Sequence, residues 1–180
     1  MNISVQKILS LFILSIPLFI ACQATKEMKN TTEIDKFTWD IQLAGYDFQR
    51  VDEKGETDYS NFINEFEKFP WIEQLNARNK MSEGTSPTLS VKDLKNNRDL
   101  WVSIAGDQDK PVYLIGNIYP KEVKGFLGFG RKTIRWCEIY LTENPNNIKS
   151  YFKLFFDRQF QGLENEIRKL EKFDELEAQN

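Results

Sequence analysis

The chain reads as an α+β domain, a four-stranded antiparallel meander sheet with helices packed on one face. Three observations carry this expectation. Segments 88–92, 100–105, 112–119 and 133–141 are rich in β-branched and aromatic residues and are separated by turn chemistry. Stretches on either side of them repeat Phe, Leu and Ile at helical spacing. Hydrophobic residues make up 41% of the 180 and include fourteen Phe, which is enough for one core and argues against wholesale disorder.

Taken in order, segment 34–51 fits two readings. Phe37, Trp39, Ile41 and Leu43 alternate with polar residues as in a strand, whereas Phe37, Ile41, Ala44 and Phe48 share one helical face. Asp52-Glu53-Lys54-Gly55 reads as a turn. Asp58 is placed to cap a helix carrying Phe62, Phe66 and Phe69. Pro70 ends that helix and opens another bearing Trp71, Ile72 and Leu75. Asn96-Asn97 and residues 106–109 supply turns between the central strands. Asn144-Pro145 then starts a helix presenting Ile148, Phe152, Phe155 and Phe156. It is expected to kink near Asp157-Arg158 and run on through Phe160, Leu163, Ile167 and Leu170, with Glu164, Glu166, Arg168, Lys169, Glu171 and Lys172 as its solvated face.

Side chains alternate across a sheet, so the strands sort into two faces. Leu89, Val91, Leu100, Val102, Ile104, Val112, Leu114, Ile118, Cys137, Ile139 and Leu141 form an aliphatic set expected under the helices. Trp101, Tyr113, Tyr119, Trp136, Glu138 and Tyr140, with Thr88, Ser90, Ser103 and Asn117, form an aromatic and polar set. Rings with polar handles suit a recognition surface, while aromatic cross-strand pairs also stabilise a sheet with no ligand at all. Both readings stay open. Gly125-Phe126-Leu127-Gly128-Phe129-Gly130 joins two antiparallel strands and matches no phosphate-loop template. Its Phe126 and Phe129 are candidates for partner contact or for packing beneath the sheet edge.

The first residues read as a processing signal. Lys7 precedes an apolar run over 8–20, which at about 1.5 Å per residue is too short to cross a bilayer core of roughly 30 Å but has the length of a secretory h-region. Phe19-Ile20-Ala21-Cys22 follows it and resembles the lipobox of bacterial lipoproteins, with Phe19 where Leu is usual. The resemblance implies that Cys22 is lipidated and becomes the N-terminal residue. It also implies that Gln23, in place of Asp, favours the outer membrane. Ordinary secretion with cleavage near Ala21 or Ala24 is the other reading. Residues 1–21 are then signal peptide, 22–33 a flexible tether after lipidated Cys22, and 34–180 a single domain. The folded part is loosely similar to small α+β immunity proteins and envelope lipoproteins in size, export signal and sheet-then-helix order.

Histidine is absent, which excludes Ser-His-Asp and Cys-His catalysis and HExxH zinc sites. A net charge of −3 lacks the basic footprint of nucleic-acid binding. Asp107 with Asp109, and the acidic residues around Gly55, lack the spacing of a Ca²⁺ loop, so no metal or cofactor is expected. Glu138 is a lone carboxylate on its face, and glycoside hydrolysis needs two. Cys137, inside an apolar strand, reads as a small buried hydrophobe. The expected function is a lipid-anchored, non-catalytic binding module of the cell envelope, held on the membrane by its N-terminal lipid. It would engage a protein partner through the aromatic face or the 125–130 loop. The alternative is a histidine-independent hydrolase, or a binding protein, acting on cell-wall glycan.

Overall fold

A computed structural model describes residues 35–124 and 130–178. Seven strands and four helices occur among them: β1 Phe37–Gln42, β2 Asp52–Thr57, α1 Tyr59–Lys68, α2 Trp71–Asn79, β3 Thr88–Asp93, β4 Arg98–Asp107, β5 Lys110–Lys124, β6 Arg131–Thr142, α3 Pro145–Phe156, α4 Phe160–Ile167 and β7 Glu171–Glu177. The strands make one antiparallel sheet in the order β2-β1-β3-β4-β5-β6-β7. The α+β class stands, but the sheet has seven strands where four were expected.

Each added strand has a local reason. The ambiguous segment becomes β1 because alternation puts Phe37, Trp39 and Ile41 against the core, whereas Phe48, on the competing helical face, is 80% exposed. The acidic stretch expected as a turn instead pairs with β1 as β2, through a bulge opposite Trp39 and Asp40. The last helix stops at Ile167, and Glu171 and Lys172 belong to β7 rather than to a helical surface. An edge strand exposed along its whole length is held by its backbone ladder to β6 and needs no alternating apolar pattern.

The helices start where capping chemistry allows. Asp58 Oδ1 accepts from the Asn61 N–H at 2.8 Å, and Asn144 Oδ1 accepts from Asn146 at 3.0 Å, with Pro145 in the first turn. All four helices pack on one face. Phe62, Phe152 and Phe155 are fully buried among Leu89, Val91, Leu100, Val102 and Ile104, and the Phe62 and Phe152 ring centroids lie 4.5 Å apart. Between α3 and α4 the chain breaks at Arg158, which has a φ of 56°. Its Nε donates to Asp93 Oδ2 at 2.8 Å, and its NH1 lies 2.6 Å from Asp35 Oδ1. Asp93 Oδ1 also accepts the backbone N–H of Lys95 and Asn96, so one carboxylate ties the β3–β4 turn to the helix break.

Register decides what each face carries. Gln108 and Asp109 alone separate the paired residues Asp107 and Lys110, and a Cβ on Gly106 would stand 2.7 Å from the Lys110 carbonyl oxygen. A two-residue turn pairs odd-numbered residues of β4 with even-numbered residues of β5. Trp101 therefore lies opposite Gly116, Val102 opposite Ile115, and Ile104 opposite Tyr113. The two expected faces are cut and rejoined at this point. Tyr113, Asn117, Tyr119, Trp136, Glu138 and Tyr140 share the helix-covered face with Leu100, Val102 and Ile104. Val112, Leu114, Ile118, Cys137, Ile139 and Leu141 lie on the opposite face with Trp101 and Ser103.

Truncating fully buried Phe155 to alanine should cost about 3–5 kcal/mol in a denaturant titration. Burial alone would raise the Asp93 carboxyl, but its bonds to Arg158 and Asn96 hold it below the ordinary value. A depressed folded value stabilises above the unfolded value and is lost as pH falls through the folded one. The stability advantage of wild type over Asp93→Asn should therefore be level above about pH 5 and shrink as pH falls below about 4, as read by urea midpoints across pH.

Candidate functional site

On the helix-covered side, the predicted residues of β5 and β6 gather beneath α4 and against β7. Asn117 is directly opposite Glu138, and Tyr119 opposite Trp136. The Tyr140 hydroxyl donates to Glu138 Oε2 at 3.1 Å. Lys172 Nζ lies 3.5 Å from Glu138 Oε1, and Arg168 NH2 3.8 Å from Oε2. Arg168 also reaches Glu164, which binds Arg98 at 3.0 Å, and the Arg98 guanidinium sits 4.4 Å from the Phe160 ring centroid and 5.5 Å from that of Tyr119. Trp136 Nε1 donates to Glu175 Oε2 at 3.3 Å, while Lys121 Nζ lies 3.9 Å above the indole. Tyr113 sits apart from this group, edge-on to Trp71 and buried in the main core.

Apart from Asn117, these side chains pair chiefly with one another. Burial, then the neighbouring Glu138 charge, raises the Tyr140 phenol above its ordinary value. Asn117 is 0% exposed, and neither of its amide atoms has a hydrogen-bond partner, an arrangement costing about 1–3 kcal/mol. Tyr113, Glu138 and Tyr140 are thus buried under the helix layer, and Tyr119 and Trp136 are half-buried. The continuous patch expected from Trp101, Tyr113, Tyr119, Trp136 and Tyr140 does not form, because Trp101 points to the other side. Phe126 and Phe129 lie outside the described residues.

On the open side, Trp101 is the centre. A Cβ built on Gly116 would fall 1.9, 2.1 and 2.3 Å from Cε2, Cζ2 and Nε1 of the indole. Three nearly equal distances to consecutive ring atoms put that position over the ring rather than beside its edge. The indole therefore lies flat on the sheet, in space that only glycine leaves free. Leu114 and Ile118 flank Gly116 on β5, and Ile139, Leu141 and Cys137 continue the surface on β6. Leu176 extends it onto β7 and is 45% exposed.

Toward β1 the same face turns polar. Lys92 Nζ is 2.8 Å from Asp40, and Arg135 NH2 is 2.7 Å from Asp99. Burial raises the Asp99 carboxyl, with Arg135 and Lys92 opposing it. At the sheet edges, Glu53 and Glu56 of β2 and Glu171 and Asp174 of β7 face this side. Sequence reading assigned Trp101 to a recognition surface but missed its glycine bed and its aliphatic neighbours. The number of residues in the Gln108-Asp109 turn was the signal that could have found them.

Among the described residues no three His, Cys, Asp or Glu side chains converge as a metal-binding group. Burial pushes the Cys137 thiol up to about 11, against a smaller opposing effect of the Trp101 indole N–H. Only the thiolate attacks disulfide reagents. Labelling of the Cys137 peptide, followed by mass spectrometry, should accordingly be very slow at pH 8, rise toward pH 11, and become fast once the domain is unfolded. No protein-family model matches the chain, and no curated protein or solved structure matches it.

Proposed function

We propose that this protein is a lipid-anchored, non-catalytic binding module of the bacterial cell envelope, which docks a protein partner on the open face of its sheet. The lipobox-like Phe19-Ile20-Ala21-Cys22 supports anchoring through Cys22, and Gln23 favours the outer membrane. On this reading the domain is an accessory or immunity-like lipoprotein that acts by occupying a partner. The carrying observation is the flat indole of Trp101 on Gly116, continued by Leu114, Ile118, Ile139 and Leu141 on a face that none of the described helices covers.

Charge selects the occupant. Carboxylates stand on both outer strands of this face, Glu171 and Asp174 on β7 directly beside the apolar strip and Glu53 and Glu56 on β2 beyond the polar β1 and β3. Such a border complements a partner with an apolar patch rimmed by Lys and Arg, and sets acid against acid if a second copy docks. Aromatic and aliphatic anchors inside a polar rim are where binding energy concentrates.

The test is crosslinking in envelope extract with wild type, Trp101→Ala, Ile139→Lys and Trp136→Ala, each first shown to melt cooperatively. A specific partner should be basic, be lost at least roughly tenfold in Trp101→Ala and Ile139→Lys, and be retained in Trp136→Ala. Capture that survives Ile139→Lys, or capture of cell-wall sacculi in place of protein, would sink the protein-docking reading.

A further inference from the structure

Beyond the partner face, one part of the sheet stands alone. The last β4 partner of β5 is Ile118, paired with Asp99, and the last β7 partner of β6 is Trp136, paired with Glu177. Strands β5 and β6 nevertheless continue to pair with each other from Pro120 and Arg135 out to Lys124 and Arg131. The Ala178 N–H still donates to the Arg135 carbonyl at 2.8 Å, so the four residue pairs beyond it, from Lys121 and Ile134 to Lys124 and Arg131, form a two-stranded ribbon roughly 13 Å long.

The ribbon is basic in an otherwise acidic chain. Lys121, Lys124, Arg131 and Lys132 stand against the single ribbon acid Glu122, while Arg135 at the base is paired with Asp99 at 2.7 Å and the whole protein carries −3. Side-chain exposure is 81% at Arg131 and 67% at Lys132. Their pairs with Glu122 at 3.0 Å and with Glu177 at 3.6 Å are solvent-exposed and therefore weak, so the charge remains available. Alternation places Lys121 and Lys132 on one face of the ribbon and Lys124 and Arg131 on the other. At its base lies a cleft of about 400 Å³ lined by Asn97, Lys132, Arg135 and Glu177, where the Arg135 Nε has no hydrogen-bond partner.

We propose that this ribbon is a membrane-contact arm whose basic side chains engage the phosphates of anionic lipid headgroups. Positive charge on both faces suits a layer of phosphates, since a docked protein would cover one face only. Three net charges on a ribbon this short are also few for a nucleic-acid track. The inference uses the tethering half of the proposed function. A linker over 23–33 reaches at most about 35–40 Å when fully extended, which keeps the domain near the bilayer. An acylated protein with a second, electrostatic contact would sit on the surface in a defined orientation. Each basic side chain near an anionic surface contributes about fivefold in binding.

The experiment uses the full chain mixed with vesicles of phosphatidylcholine alone, or with one-third phosphatidylglycerol, followed by flotation and amide hydrogen exchange. Flotation with neutral vesicles reports the tether. Slower exchange at residues 121–124 and 131–134 on anionic vesicles reports the arm. The ribbon amides should slow at least roughly tenfold on anionic vesicles only. That slowing should vanish in about 0.5 M salt, where screening is within a few ångström. It should also vanish in the Lys124→Glu/Arg131→Glu/Lys132→Glu variant, with exchange at Leu100 and Ile115 unchanged. Equal exchange on both vesicle types would overturn the arm while leaving the tether standing, whereas failure to float on neutral vesicles would remove the tether alone. Equal protection by inorganic phosphate without vesicles, or by polyglutamate, would also overturn the membrane assignment.

Discussion

The turn of Gln108 and Asp109 between the paired residues Asp107 and Lys110 governs how the sheet is dressed. Strand side chains alternate with a period of two, so the parity of the turn decides which half of β5 meets the helices. With two residues in the turn, Ile115 joins Val102 in the core, and Tyr113, Asn117 and Tyr119 go in with it. β6 follows through its own pairing, carrying Glu138 and Tyr140 beneath α4. The rest of that side then has to supply partners for buried polar groups. Arg168 and Lys172 do so for Glu138, and Arg98 for Glu164. The Asn117 amide is left without any.

The same parity leaves Leu114, Ile118, Ile139 and Leu141 on the side without helices, around a tryptophan lying on a glycine. A structural sheet could carry hydroxyls and charges there at little cost, and its β1 and β3 half does so with Thr38, Gln42, Thr88 and Ser90. The contrast between the two halves of one face is what supports the proposal that the apolar half is used for contact. Acidic edge strands serve a second purpose, because charged, fully exposed β7 resists pairing with another sheet. Basic residues instead cluster on the β5–β6 ribbon, away from both edges, so the proposed partner face and the proposed arm differ in charge.

Much of the local structure was legible in the chain. The caps at Asp58 and Asn144, the stop at Pro70 and the Phe stripes of α1 and α3 were all readable, because capping and amphipathic spacing act within a few residues. The four central strands were readable for the same reason. β2 and β7 were not, since Asp52–Thr57 and Glu171–Glu177 carry no apolar alternation and become strands only through the ladder a neighbour offers. The polar-aromatic residues of β5 and β6 were correctly grouped with one another and wrongly joined to Trp101. Similarity of composition stood in for the pairing register, and aliphatic residues were matched with aliphatic ones across a turn whose length forbids it.

The sequence by itself determined the α+β class, the helix starts, the central strands and the composition of each strand's two sides, all of which depend on contacts within a few residues. Only the tertiary structure decided that Tyr113, Glu138 and Tyr140 are buried, that Trp101 lies half-buried across Gly116 on the opposite face, and that β5 and β6 run past their neighbours. Each of those depends on which residue stands opposite which across the sheet. That is a pairing between distant parts of the chain, and a slip of one residue would reverse it.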